Sequence, residues 1–165
     1  MFRIHIGAIT LVAAIAIQHS HAAEPDCWEA ESHANLTLQT SPAVALYLPE
    51  GARGPYTTSD SVDYRWESPV GVIWIRFGKK ASDVQATKIR TLKVGSEDVT
   101  LYRWRDYSGN DVLIGEWKAV GSIHRLASID IPVNWKDCES MSMATSIIKS
   151  VRFVNKPDLI KAEPD

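Results

Sequence analysis

Reactive side chains are scarce in this chain. Its 165 residues include only 2 cysteines and 5 histidines. His5, His19 and His21 fall near the N-terminus, so His33 and His124 alone are left for proton transfer at neutral pH. Neither Cys-x-x-Cys nor His-x-x-x-His spacing occurs, and a zinc-type site therefore lacks a ligand set. Gly-x-Ser-x-Gly is missing, which leaves a nucleophile elbow without support. There is no block of basic residues, so neither nucleic acid nor an anionic membrane is a favoured partner. No cofactor and no metal are expected. Only one long apolar run exists, and it lies at the beginning.

That run, Ile6 to Ile17, follows a short segment with one charge, Arg3, and precedes Gln18-His19-Ser20-His21 and Ala22-Ala23. The three-part layout is that of a secretory signal peptide over residues 1–22, with cleavage after Ala22 and, as the alternative, after Ala23. Twelve apolar residues are too few for a helix that must cross ~30 Å of hydrocarbon at ~1.5 Å per residue. An uncleaved anchor is the competing reading. Loss of the leader removes Arg3 and no acid, which takes the formal net charge from −2 to −3. Roughly 140 residues remain, enough for one core. The expected organisation is one domain over 23–154 and a frayed tail over 155–165, a stretch with two prolines and no pattern.

Cys27 and Cys138 are 111 positions apart. In an oxidising compartment two such cysteines are expected to form a disulfide, two independent thiols being the alternative. A loop of that length stabilises by up to ~4.7 kcal/mol in the chain-entropy account.

Hydrophobic period then orders the chain. Leu36 to Leu38 and Val44 to Leu48 are short strands, and residues 51–60, rich in glycine and proline, are expected as a loop. Val62, Tyr64 and Trp66 alternate with polar neighbours, Ser68-Pro69 breaks the run, and Ile73, Ile75 and Phe77 share the next face, so 62–77 predicts a hairpin. Ser82 and Gln85 have capping-box spacing, which predicts a helix over 82–90, with a strand over 88–94 as the alternative. Strands follow at 99–105, 112–118 and 123–133, with a turn at Ser108-Gly109-Asn110. After Asn134 the period changes. Cys138, Met141, Thr145 and Ile148 recur at helical spacing behind Asp137, a good N-cap, and Ser150 to Val154 closes the domain as a strand. The expected fold is α+β, an antiparallel sheet of about six strands covered by a C-terminal helix.

Val94-Gly95, then Leu101-Tyr102-Arg103-Trp104, then Leu113 to Trp117, and a helix running into Ser150-Val151-Arg152-Phe153 together resemble the PsbP-like families over about 90–154. The earlier part departs from them: Pro49-Glu50-Gly51-Ala52 lacks the tryptophan of that family's turn. The resemblance implies an α/β/α sandwich that binds proteins or small ligands and performs no catalysis.

Three sets of residues compete for a functional role. His33 and His124 read as surface or structural groups. The carboxylate pairs Asp60/Asp63, Glu97/Asp98 and Asp106/Asp111 sit in polar loops and turns, a poor setting for the desolvated acid of glycoside hydrolysis. Asp106 to Asp111 surrounds Gly109 with oxygen side chains as a calcium loop does, but no Glu follows at EF-hand distance, and a polar hairpin turn is the competing reading. Tyrosine, tryptophan and arginine favour interfaces. The loops 53–60 and 105–111 are thus the expected contact surface, through Arg53, Tyr56, Asp60, Arg105, Asp106, Tyr107, Asn110 and Asp111.

Two functional classes remain open. One is a non-enzymatic exported protein that binds another protein, as an inhibitor or immunity-type partner of a toxin or enzyme. The other is an accessory domain for a small ligand or cell-envelope polymer; a hydrolase trails both. Intact-mass analysis of the exported protein is expected to give a chain beginning at Ala23. A species retaining residues 1–22 would contradict the leader assignment.

Overall fold

Alternation through residues 64–77 commits the chain to a sheet with two unlike faces. The computed structural model describes residues 27–28, 35–57, 63–120 and 125–153. The leader, the tail, His33, Asp60 and His124 lie outside these. The described residues form ten strands: β1 (Leu36–Thr40), β2 (Val44–Pro49), β3 (Arg53–Thr57), β4 (Tyr64–Ser68), β5 (Gly71–Phe77), β6 (Thr87–Val94), β7 (Glu97–Arg105), β8 (Asp111–Val120), β9 (Arg125–Pro132) and β10 (Arg152–Phe153). One helix, α1 (Cys138–Ser150), precedes the last strand.

The strands form two antiparallel sheets, in the orders β1-β2-β10 and β3-β4-β5-β9-β8-β7-β6. The fold is thus sheet-rich α+β, with more strands and one more sheet than the sequence predicts. The second sheet arises because β2 pairs with β10, which follows it by some hundred residues. No local pattern reveals such a pairing.

The inner face of the large sheet carries Trp66, Ile73, Ile75, Leu101, Leu113, Trp117, Ile129 and Ile131, all buried. Val44, Leu46 and Leu48 of β2 and Ala144, Ile147 and Ile148 of α1 close over it. The helix and the small sheet therefore share the covering layer. Gly115 lets α1 come near, since a Cβ there would stand 3.2 Å from Ile148 Cδ1. Asp137 caps α1 by accepting from the Glu139 N–H at 3.1 Å, as its spacing predicts.

Two segments differ from expectation. Residues 53–57 of the anticipated loop form β3, an edge strand with a register shift between Arg53 and Tyr56. Gly54 and Pro55 occupy the irregularity, and proline is tolerated there because an edge strand has unpaired donors to spare. A side chain at Gly54 would meet Arg65 O and Trp66 Cδ1 at 2.8 Å. The anticipated helix at 82–90 is only a 3-10 turn, Ala81–Val84, followed by β6. Lys80 N–H donates to Asp83 Oδ2 at 3.0 Å, and Gln85 leaves the turn at φ 56, so the helix stops before Thr87.

Cys27 and Cys138 are joined, with Cα atoms 4.8 Å apart. The bond ties the first described residues to the start of α1. Beside it Trp28 and Trp135 meet at 6.5 Å between ring centroids, and the Arg90 and Arg103 guanidinium groups stand 5.6 and 4.9 Å from those rings. No helix among the described residues is long and apolar enough to cross a membrane. Replacing both cysteines by serine is expected to lower the unfolding free energy by about 2–4 kcal/mol in chemical denaturation. An unchanged denaturation midpoint would show that the bond adds nothing to stability.

Candidate functional site

Strand register determines which side chains meet on the outer face of the large sheet. Tyr56 pairs with Arg65, Arg65 with Trp74, Trp74 with Asp130, Asp130 with Ile114 and Ile114 with Tyr102. One cross-strand row thus spans six strands. A neighbouring row runs through Arg76, Ser128, Glu116 and Thr100. The crossing from β5 to β6 covers part of this face: Ala81 and Val84 pack on Val112, Ile114, Tyr102 and Trp104. Glu116 anchors the crossing, its Oε2 accepting from the Ala81 N–H at 2.8 Å and its Oε1 from the Tyr102 hydroxyl at 3.5 Å. Burial and the Glu116 carboxylate together push the Tyr102 hydroxyl above its ordinary pKa.

The remainder of the face is a stack of arginines and aromatics. The Arg65 guanidinium lies 5.3 Å from the Tyr56 ring and 5.8 Å from the Trp74 ring, and Arg76 lies 5.4 Å from Trp74. These are cation–π distances. Arg76 is fixed from below, its Nη1 3.1 Å from Asp130 Oδ2. Asp63 stands nearby, accepting from the Phe77 N–H at 3.3 Å and from Lys79 Nζ at 3.2 Å. Asp130 is held above the ordinary carboxyl range. Burial is the main cause; Arg76 opposes it, Asp63 reinforces it and Lys79 opposes it.

A groove of about 800 Å³ runs from Trp74, Arg76 and Asp130 over the end of the sheet to the first turn of α1, with Trp104, Asp106, Asn110 and Asp111 along one side. Next to it lies a second depression, about 630 Å³, lined by Arg105 and Tyr107 and sharing Trp104's neighbourhood. Tyr107 is 98% exposed and meets Trp104 edge-on at 6.2 Å.

The structure therefore divides the contact residues read from the sequence. Asp106, Asn110 and Asp111 line the groove; Arg105 and Tyr107 line the adjoining depression. Tyr56 ends the arginine–aromatic stack, while Arg53 is exposed at the far edge, opposite Glu67. The 105–111 turn is a hydrogen-bonded hairpin loop. Asp106 Oδ1 accepts from the Ser108 and Asn110 N–H groups at 2.9 and 2.7 Å, and Oδ2 from Asn110 Nδ2 at 2.9 Å. These bonds, the Asn110 side chain's first, hold the Asp106 carboxyl below its usual pKa. The carboxylate is thus engaged in closing the turn, and no cluster of three or more metal-ligating side chains occurs among the described residues.

Sequence reading missed Arg65, Trp74, Arg76 and Asp130. A signal was present: with Ile73, Ile75 and Phe77 facing the core, Trp74 and Arg76 must face away from it. Among known proteins, no family model matches the chain and no curated protein matches it significantly.

A raised folded pKa means that Asp130 favours the fold most below its unfolded value near 3.8, and that this contribution is lost as pH rises through the folded value. The unfolding free energy of the wild type minus that of Asp130→Asn is expected to fall as pH goes from about 3 to about 7. Denaturation curves across that range check the sign; a difference that grows with pH would contradict it.

Proposed function

We propose that this is a non-enzymatic protein exported to the periplasm or secreted, which binds another protein through the outer face of the large sheet. An inhibitor or immunity-type partner of a toxin or enzyme is the role that suits it. The observation that carries the reading is the Tyr56–Arg65–Trp74–Arg76 stack. Tyrosine, tryptophan and arginine are the side chains that dominate binding energy at interfaces. Here they are layered on one another, half exposed, on a face over which the described residues place one 3-10 turn and no helix. Preordered side chains lose little entropy on binding. The disulfide supports an oxidising, extracytoplasmic setting. The carboxylates on this face support a non-catalytic role, since Glu116, Asp130 and Asp106 are each engaged in holding structure.

The PsbP-like resemblance of residues 90–154 points the same way and implies an α/β/α sandwich as the finer fold. A second reading, binding of a small ligand or a cell-envelope polymer, is favoured by the groove itself. Its volume is that of a ligand site, and Trp74 and Trp104 both line it.

Affinity capture from the native extract tests the proposal. The mature wild type is expected to retain a protein that Trp74→Ala retains about 30-fold less well, the loss typical of a central tryptophan at ~2 kcal/mol. Both proteins must melt at similar temperatures. Retention of a partner independent of Trp74, or of an envelope polymer and no protein, would count against it.

A further inference from the structure

The groove is acidic as well as aromatic. Five carboxylates line it, Asp106, Asp111, Asp130, Asp137 and Glu139, against one guanidinium, Arg76. That guanidinium is already paired with Asp130. The remaining four carboxylates face the groove with no cationic side chain of the groove's own lining to balance them. Arg105 reaches Asp111 from the adjoining depression, at 3.3 Å, but is itself largely exposed. Asp106 is held in its ionised form by the turn's hydrogen bonds. Trp104 supplies flat apolar surface among the carboxylates, while Trp74 already carries Arg65 and Arg76.

Carboxylates around an aromatic floor suit one kind of ligand. A lysine or arginine side chain lays its methylene stem along an aromatic ring and offers its charge to the acids beyond. A groove of about 800 Å³ holds several side chains, which fits a stretch of chain better than a single ion. An acidic ligand meets repulsion here, and a neutral one leaves the excess of carboxylates over guanidinium groups unchanged.

We infer that the groove takes a basic, extended segment of the partner protein, with lysine or arginine side chains set between Trp104 and the carboxylates of the 106–111 turn and the start of α1. This rests on the protein-binding reading above. It adds the partner's chemistry: the partner presents a basic loop or terminus, and its attachment weakens with salt.

The test uses the mature, disulfide-bonded protein and a short oligolysine peptide, with an oligoglutamate peptide of equal length as control. Backbone amide and tryptophan indole NMR signals report the site. Oligolysine is expected to shift the Trp74, Trp104 and Asn110 signals, and oligoglutamate to leave them in place. Raising ionic strength from about 0.05 to about 0.5 M should reduce the oligolysine affinity several-fold. Asp111→Asn combined with Glu139→Gln removes two charges without touching the Asp137 cap or the Asp106 turn bonds. This double variant should bind oligolysine about threefold to tenfold more weakly with an unchanged amide spectrum elsewhere. Equal response to both peptides, or shifts located away from the groove, overturns the inference. A captured partner that depends on Trp74 but binds the double variant with full affinity also overturns it, and leaves the protein-binding reading intact. A partner indifferent to Trp74 defeats that reading instead.

Discussion

The pairing of β5 with β9 holds Trp74 opposite Asp130 and Arg76 opposite Ser128. These two strands are separated in sequence by β6, β7 and β8, which must first cross the sheet and return. Because side chains alternate at period two, the same register that buries Ile73, Ile75, Ile129 and Ile131 on one side fixes the opposite residues on the other. A slip by one residue would exchange the faces, placing Arg76 and Asp130 against Leu46 and Ile147. The core therefore enforces the geometry of the outer face.

Unequal covering of the two faces follows from what the chain has left to cover them with. One amphipathic helix and a three-stranded sheet suffice for the inner side. On the outer side the crossing segment shields Ile114 and Val112 and is tied down by Glu116. What lies beyond its reach, around Trp74, is left half exposed. The disulfide acts where the groove reaches α1, fastening Trp28 beside Trp135 at the entry to the helix. It stabilises the covering layer without shaping the groove directly, although Asp137 and Glu139 share that same first turn.

Local signals in the sequence were enough for most elements. Asp137 followed by Cys138, Met141, Thr145 and Ile148 states the helix and its cap. The alternation around Tyr64, Trp66, Ile73 and Ile75 states a hairpin. The paired cysteines state their bond once export is granted. Failures came where a local rule met a tertiary exception. Gly54 and Pro55 read as loop, yet an edge strand absorbs them in a bulge. Ser82 to Gln85 reads as a helix start, yet the turn ends after four residues because Gln85 turns left-handed and β7 draws the following residues into a ladder. Site residues divide in the same manner. Tyr107 and Asp111 were visible as polar, aromatic turn residues, whereas Asp130 gains its meaning only from Trp74 and Arg76, which register alone brings to it.

The Arg76–Asp130 pair shows how such a face can be both charged and rigid. Burying Asp130 is unfavourable on its own, and the raised pKa records that the partner offsets the cost incompletely. Two hydrophobic residues in these positions would cost less. What the pair provides is placement: anchored at 3.1 Å, the guanidinium lies across Trp74 in place of sweeping through solvent. Arg65 lies between Trp74 and Tyr56, the nearest available planes. Two rotamer-rich side chains, Arg65 and Arg76, are thereby ordered before any ligand arrives, and each would otherwise cost about 0.5–1.5 kcal/mol to immobilise at the moment of binding. Stability given up at Asp130 thus reappears as preorganisation of Trp74. On the protein-binding proposal, the same trade makes the tryptophan, rather than any of the surrounding carboxylates, the position on which affinity depends most, with the acids setting which partner is accepted.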